Sequence, residues 1–217
     1  MKKIFASIVL SAVTLVAAAQ NILDFKTIED VVKNEKEYFN DIMQIYRNDD
    51  PMIRIDDIAL VYYGHAFTEA YNPGNNENEK AIKELYEQGK YEEAYNTAVK
   101  VLETNPVSLN ALFYAWRTAE STGKDKSISQ PYVKKYLGII GMIMEYGDGK
   151  RTDTALKVIC PDDQDHVLYS GLKLTQEYSR QLDTETLCNI ISVEPTEEYN
   201  SRRVYFDLSL YLMHAAK

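Results

Sequence analysis

Two short acidic runs contain the carboxyl groups of this chain that could act together as a catalytic pair. Asp162, Asp163 and Asp165 lie in one run, and Asp49 and Asp50 come directly before a proline. Paired carboxylates can act as general acid and base in the cleavage of a glycosidic bond, provided that a defined gap separates them. The sequence does not supply that gap, and solvated turns are the alternative for such short runs. The runs therefore support a hydrolase acting on glycan or peptide as an alternative hypothesis.

The histidines and the common catalytic motifs give no comparable signal. His65, His166 and His214 have no second histidine, cysteine or carboxylate at a spacing that forms a recognised metal site. The chain lacks the Gly-x-Ser-x-Gly motif of serine hydrolases, and its Gly-Lys-x-Thr stretch at 149–152 has the wrong spacing for a phosphate-binding loop. We therefore assign no catalytic residue, and we expect neither a metal nor another cofactor.

The two cysteines, Cys160 and Cys188, leave two interpretations open. In an oxidising compartment they could pair, and closing that loop would stabilise the fold by about 3 kcal/mol on the chain-entropy model. The alternative is a pair of buried free thiols, because the sequence does not give the geometry that a disulfide requires.

Tyrosine is the most unusual part of the composition, with 17 residues against one tryptophan. A tyrosine ring is apolar with a hydrogen-bonding tip, which suits an interface or a ligand groove. The alternative is that most rings pack in the core with their hydroxyls reaching the surface. The candidate binding surface consists of six tyrosines near a predicted helical hairpin, namely Tyr62, Tyr63, Tyr71, Tyr86, Tyr91 and Tyr95.

The hydrophobic pattern predicts helices first and strands afterwards. Residues 20–146 are mostly predicted as helix, because apolar residues recur three and four positions apart. In residues 147–217 the period changes to two, most clearly where Val204 and Phe206 alternate with polar residues. That change predicts a small antiparallel β-sheet packed on the helices. The fold class is therefore α+β, in a single domain over residues 20–217.

One predicted hairpin resembles the tetratricopeptide repeat. The matching positions are Gly89, Tyr91, Ala94, Ala98 and Pro106, in the string GKYEEAYNTAVKVLETNP. Gly123 follows Gly89 by 34 residues, which is the length of that repeat. The helix before Gly89 lacks the family's Trp-Leu-Gly pattern, and nothing after Gly123 repeats the Tyr-x-x-Ala element, so at most about one and a half repeats are present. The resemblance implies a tetratricopeptide-like hairpin within a larger domain.

Residues 1–19 have the pattern of a cleavable signal peptide. Lys2 and Lys3 precede an uncharged apolar stretch, and the alanines at 17–19 form the small-residue site that signal peptidase requires. No cysteine follows at which a lipoprotein could be acylated. We therefore expect a periplasmic or secreted protein, with no membrane anchor in the mature chain.

The charge balance argues against nucleic acid as a partner. The chain has 24 basic and 33 acidic residues, a net charge of -9 and a pI near 4.9. Binding to phosphate backbones needs a basic face, and this composition provides none overall. We expect a protein or peptide partner in the cell envelope instead, recognised by a non-catalytic binding or scaffold protein.

Three segments together resemble an uncharacterised domain-of-unknown-function family of exported proteins from Gram-negative gut-type bacteria. The segments are YYGHAFTEAYNP at 62–73, GDGKRTDTALKVI at 147–159 and RVYFDL at 203–208. The resemblance spans nearly the whole mature chain, and it implies an exported single domain with helices followed by a few strands. It implies no activity, so the two hypotheses for function are a binding protein and a hydrolase of the cell envelope.

Overall fold

Helices form the first part of the chain, which the computed structural model describes over residues 24–73 and 77–215. The expected signal peptide at 1–19 lies outside the described residues. The helices of this part are α1 (Phe25–Asn34), α2 (Lys36–Arg47), α3 (Ile55–His65), α4 (Glu77–Glu87), α5 (Tyr91–Thr104), α6 (Leu109–Ser121) and α7 (Lys126–Glu145). The prediction of a mostly helical first part is confirmed.

Several helices begin at a side chain that satisfies the first free backbone N–H groups. Asp24, Ser108 and Asp125 each accept a hydrogen bond from the first turn of α1, α6 and α7, at 3.0, 3.1 and 2.8 Å. Such caps replace backbone partners that a helix start lacks. They fix where each helix leaves its loop and therefore which face it turns to the core.

Helices α4, α5 and α6 pack closely because α5 presents small residues to its neighbours. Ala94 and Ala98 on α5 are completely buried. Gly89 and Gly123 end α4 and α6 in the left-handed region, with φ of +75° and +68°, where glycine has no steric penalty. The predicted helical hairpin is thus present, whereas its relation to the tetratricopeptide repeat stays a prediction.

A four-stranded sheet follows within the described residues. Its strands are β1 (Leu156–Lys157), β2 (Glu177–Asp183), β3 (Cys188–Val193) and β4 (Arg203–Asp207), in the spatial order β1-β4-β3-β2. The predicted α+β class is confirmed, but the expectation of a purely antiparallel sheet is wrong. Strand β1 pairs in parallel with β4, because the long segment between them returns the chain to the end at which β1 began.

Short helical segments flank this sheet. Helix α8 (Asp163–His166) and a π-helical turn (Val167–Gly171) follow β1, and α9 (Ser209–Ala215) follows β4. The Asp207 side chain accepts a 2.8 Å hydrogen bond from the N–H of Ser209, which ends the strand and starts α9. Helix α8 contacts α6, so it lies beside the helical part of the fold.

Two groups of buried side chains form the core. The larger group joins α2, α3 and α7 to the sheet through residues such as Tyr62, Ile139 and Phe206. A smaller group, centred on Ile82 and Ala115, holds α4, α5 and α6 together. Among the described helices, none combines the length and the apolar character that crossing a bilayer requires.

Candidate functional site

A cleft of about 570 Å³ opens between α4, α6 and α8, and we call it the outer cleft. Helix α6 contacts both α4 and α8, and the cleft lies where these three elements meet. The lining residues are Glu79, Lys80, Lys83, Glu84 and Glu87 from α4, Asn110 and Tyr114 from α6, and Asp162, Asp165 and His166 from the α8 segment. A ligand in this cleft would contact both the helical part and the part that contains the sheet.

Negative charge dominates the outer cleft, since five carboxyl groups and two lysines line it among the described residues. Lys83 is engaged by Glu87, with Nζ 3.9 Å from Oε1, and Asp165 pairs with Arg180. His166 adds no positive charge at neutral pH, because burial lowers its pKa to about 4. The cleft therefore presents an attractive potential to a cation.

An aromatic strip leads along the surface to the outer cleft. The rings of Tyr91 and Tyr86 lie 5.2 Å apart, and Tyr86 lies 5.2 Å from Tyr114, which lines the cleft. All three side chains are half-buried. Tyrosine faces attract cations and apolar groups alike, so the strip complements the carboxyl groups beside it.

A second, much smaller cavity of about 20 Å³ adjoins the outer cleft, and we call it the inner cavity. The two share Glu79, Asn110 and Asp162 in their linings, so they are neighbours. The remaining lining residues of the inner cavity include His65, Tyr71, Asn105, Ser108, Cys160 and Asp163. Its size admits one group of about the volume of a water molecule.

Asp163 is the most strongly perturbed carboxyl group of this region. Burial raises its pKa to about 8, and the nearby carboxylates of Glu79 and Asp162 act in the same direction. The Tyr62 hydroxyl donates to Asp163 Oδ2 at 2.6 Å and accepts from the N–H of Ile159 at 3.3 Å. At neutral pH the favoured form of Asp163 is the neutral acid, because only a neutral carboxyl avoids the cost of a buried charge.

Glu79 lies between the outer cleft and the inner cavity. Burial raises its pKa, while hydrogen bonds from Ser108 and Asn105 oppose that shift. The Asn105 amide donates to Glu79 Oε1 at 3.3 Å, and the Asn110 amide donates to the Glu79 backbone oxygen at 3.1 Å. These contacts from α6 and the loop before it hold the first turn of α4 against the site.

His65 contributes an unusual buried atom to the inner cavity lining. The side chain is 3% exposed, and none of the described residues bonds its Nε2. The same holds for the Oδ1 atom of Asn105, which is also buried. Buried polar atoms are almost always paired in folded proteins, so two such atoms on residues that line one cavity mark it as a site.

The six predicted tyrosines do not form one surface, so this part of the sequence prediction is wrong. Tyr62, Tyr63 and Tyr71 are at most 5% exposed and belong to the core. Their hydroxyls bind the backbone of the segment from Lys157 to Ile159, which explains why tyrosine rather than phenylalanine occupies these positions.

The other three predicted tyrosines are half-buried and separate into two places. Tyr86 and Tyr91 lie in the aromatic strip beside the outer cleft. Tyr95 instead faces Tyr132, with the two hydroxyls 3.4 Å apart, and Lys124 lies over its ring at 4.6 Å. Of the six predicted tyrosines, Tyr86 and Tyr91 therefore lie near the outer cleft, and Tyr71 lines the inner cavity.

The acidic runs also differ in where they lie. The run at 162–165 forms a wall of the outer cleft, whereas Asp49 pairs with Lys134 at 3.0 Å and Asp50 caps the turn at Met52. Glu79, Asn105 and Asn110 were not predicted, because single polar residues on helices form no motif. Only their convergence in space identifies them.

The two cysteines, which the sequence left as either a pair or free thiols, are not bonded to one another. Cys160 and Cys188 are both free thiols in the structure, so of the two interpretations left open it contains the unpaired form. Burial raises the pKa of both thiols. No cluster of three histidine, cysteine or acidic residues among those described has the geometry to hold a metal ion.

The comparisons with known proteins support the part of the resemblance that concerns an uncharacterised domain family. No curated protein and no solved structure matches the chain significantly. The family model of DUF4919, a domain of unknown function, matches residues 26–217, which is most of the chain. The chain therefore belongs to the DUF4919 family.

Proposed function

We propose that this chain is an exported binding protein of a Gram-negative bacterium, and that its outer cleft holds a cationic segment of a protein or peptide partner. The observation that carries the proposal is the excess of carboxyl groups over lysines in a 570 Å³ cleft. Export is supported by the signal-peptide pattern of residues 1–19. Recovery of a mature chain that begins near Gln20 from the periplasm or medium tests that part.

The shape and lining of the cleft favour a peptide over a small apolar ligand. Carboxyl groups line α4 and the α8 segment on its two sides, and Tyr114 lies between them on α6. A lysine or arginine side chain can place its charge against the carboxylates and its methylene stem against the tyrosine ring. Charged side chains that line the cleft, such as Glu84 and Glu87, are exposed, so peptide binding should weaken as the salt concentration rises.

Hydrolysis is the second candidate, and one observation favours it. Glu79 and Asp162 both line the outer cleft, and burial raises the pKa of Glu79. A carboxyl group with a raised pKa beside a second carboxylate is the arrangement that acid–base hydrolysis requires. Asp163 is more strongly shifted, but it lines the inner cavity, which is too small for a sugar ring or a peptide bond with its neighbours.

Binding of fluorescent peptides tests the first candidate directly. Anisotropy titrations compare a lysine- and arginine-containing peptide with a glutamate-containing peptide of equal length. The double variant Glu84→Gln, Glu87→Gln removes two charges from the cleft. The double variant Glu93→Gln, Glu103→Gln removes the same charge from exposed positions on α5 outside the cleft and is the matched control.

We expect the basic peptide to bind, and the cleft variant to weaken it by about 2- to 30-fold, since exposed ion pairs contribute about 0.2–1 kcal/mol each. The control variant should change the affinity much less. Equal loss in both variants would show a non-specific charge effect and would contradict the proposal. Mass spectrometry of the same peptides separates the second candidate, because cleavage that is lost in Glu79→Gln would indicate hydrolysis.

A further inference from the structure

Two buried polar atoms, His65 Nε2 and Asn105 Oδ1, belong to residues that line the inner cavity, and none of the described residues bonds to either. Thr68 Oγ1 donates its one proton to the backbone oxygen of His65 at 2.8 Å, so it can only accept from Nδ1, which lies 3.4 Å away. On this network we assign the ring proton to Nδ1. Burial lowers the pKa of His65 to about 4, so the ring is neutral and Nε2 is a bare acceptor.

Asn105 provides a second bare acceptor. Its Nδ2 donates to Glu79 Oε1, and this contact assigns the amide orientation, because a carboxylate accepts and does not donate. Oδ1 is then the buried atom without a partner among the described residues. His65 and Asn105 both line the inner cavity, so its lining includes two acceptors that need hydrogen-bond donors.

The volume of the inner cavity and the carboxyl groups beside it limit which hydrogen-bond donor the cavity can hold. A cavity of about 20 Å³ admits a single small group and excludes a planar guanidinium. The group must donate at least two hydrogen bonds, and the carboxyl groups of Glu79 and Asp162 beside it favour a positive charge. A primary ammonium meets all of these conditions with its three N–H donors.

We propose that the inner cavity is a subsite for a primary ammonium group, supplied by a lysine side chain or an amino terminus of the peptide in the outer cleft. The inference rests on the proposed function, since the peptide that supplies the ammonium lies in the outer cleft, whose lining shares Glu79, Asn110 and Asp162 with the inner cavity. The subsite makes the protein selective for lysine over arginine, although both carry the same charge.

Nitrogen-15 NMR of the histidine rings tests the subsite without a peptide. The probe is methylammonium chloride, with tetramethylammonium chloride as the control, because it carries the same charge but no N–H donor. The His65 signals are identified by their loss in His65→Gln. We expect the His65 Nε2 resonance to shift saturably with methylammonium, at a Kd on the order of 10 mM or weaker, as two non-hydrogen atoms allow no more.

A matched pair of variants locates the second acceptor. Asn105→Ala should weaken the methylammonium response by about tenfold, because it removes a hydrogen bond to a charged group. Asn48→Ala changes the corresponding residue after α2, which is exposed, and should leave the response unaltered. An absent shift, or an equal shift with tetramethylammonium, overturns the subsite.

Peptide binding separates this inference from the proposed function. A lysine peptide should bind at least tenfold more tightly than its Nε-trimethyllysine form, which keeps the charge but has no donor. If both forms bind equally and His65 does not respond, the subsite is wrong while the binding function stands. If His65 responds to methylammonium and no peptide binds, the proposed function is wrong while the subsite stands.

Discussion

The buried Asp163 carboxyl should make the stability of the protein depend on pH in an unusual direction. Its pKa is about 8 in the folded chain and about 3.9 in an unfolded one. Between these values the folded carboxyl keeps a proton that the unfolded chain has released. The free energy of unfolding contributed by this group is therefore highest below pH 4 and falls as pH rises, until the pH passes 8.

The variant Asp163→Asn isolates this contribution. Its side-chain oxygen can still accept from the Tyr62 hydroxyl, and an amide does not titrate. The wild-type protein loses about 1.4 kcal/mol per pH unit relative to the variant, or about 3 kcal/mol between pH 5 and pH 7.5. The variant keeps the hydrogen bond from Tyr62 and cannot lose a proton, so it should be the more stable of the two at pH 7.5.

Urea unfolding at several pH values, followed by the fluorescence of Trp116, measures the difference. Asp162→Asn is the control, because it removes one carboxyl from the neighbouring exposed position. It leaves the buried Asp163 carboxyl in place, so most of the pH dependence of the wild type should remain. Parallel stability curves for the wild type and Asp163→Asn between pH 5 and pH 7.5 would refute the reasoning, because they would show that the buried carboxyl does not hold its proton.

Two further predictions concern stability at neutral pH and are checked by the same unfolding measurement. Tyr62→Phe leaves the Asp163 carboxyl and the N–H of Ile159 without this partner and should lower the free energy of unfolding by about 2–4 kcal/mol. Tyr63→Phe leaves only the Lys157 carbonyl without its partner and should lower it by about 1 kcal/mol. Equal losses in the two variants would contradict this account. Gly141→Ala places a methyl group in open space on an exposed helix position and should stabilise by about 0.5–1 kcal/mol. Gly147→Ala would put its Cβ 2.6 Å from the Ala155 carbonyl oxygen and should destabilise by about 1–3 kcal/mol, so a gain there would be inconsistent with the structure.

The order of helices and strands could be predicted because it depends on local periodicity. The spacing of apolar residues around Ala94 and Ala98 predicts packed helices, and the alternation at Val204 and Phe206 predicts a strand; the structure contains both. Strand β2 was missed, since it is polar and mostly exposed at the sheet edge and therefore carries no hydrophobic period. The parallel pairing of β1 with β4 depends on a contact across some fifty residues, which no local pattern encodes.

The site was predictable only in part, for a related reason. The acidic run at 162–165 was recognised, but the same residue types at Asp49 and Asp50 lie elsewhere. The tyrosine prediction was wrong at Tyr62 and Tyr63, because hydroxyl groups that appear suited to a ligand are used by the backbone of β1 and the residues after it. Polar groups that serve the fold and those that serve a ligand have the same sequence signature.

The outer cleft is lined by two parts of the chain that are far apart in sequence, and this determines when the cleft forms during folding. Helices α4 and α6 belong to the first part of the chain, while Asp162 and α8 follow β1. The tyrosines of α3 join these parts through bonds to residues more than ninety positions away. In a newly made chain the outer cleft therefore forms only once the segment that contains α8 has docked on the helices, so on the proposed function the helical part alone does not bind the partner.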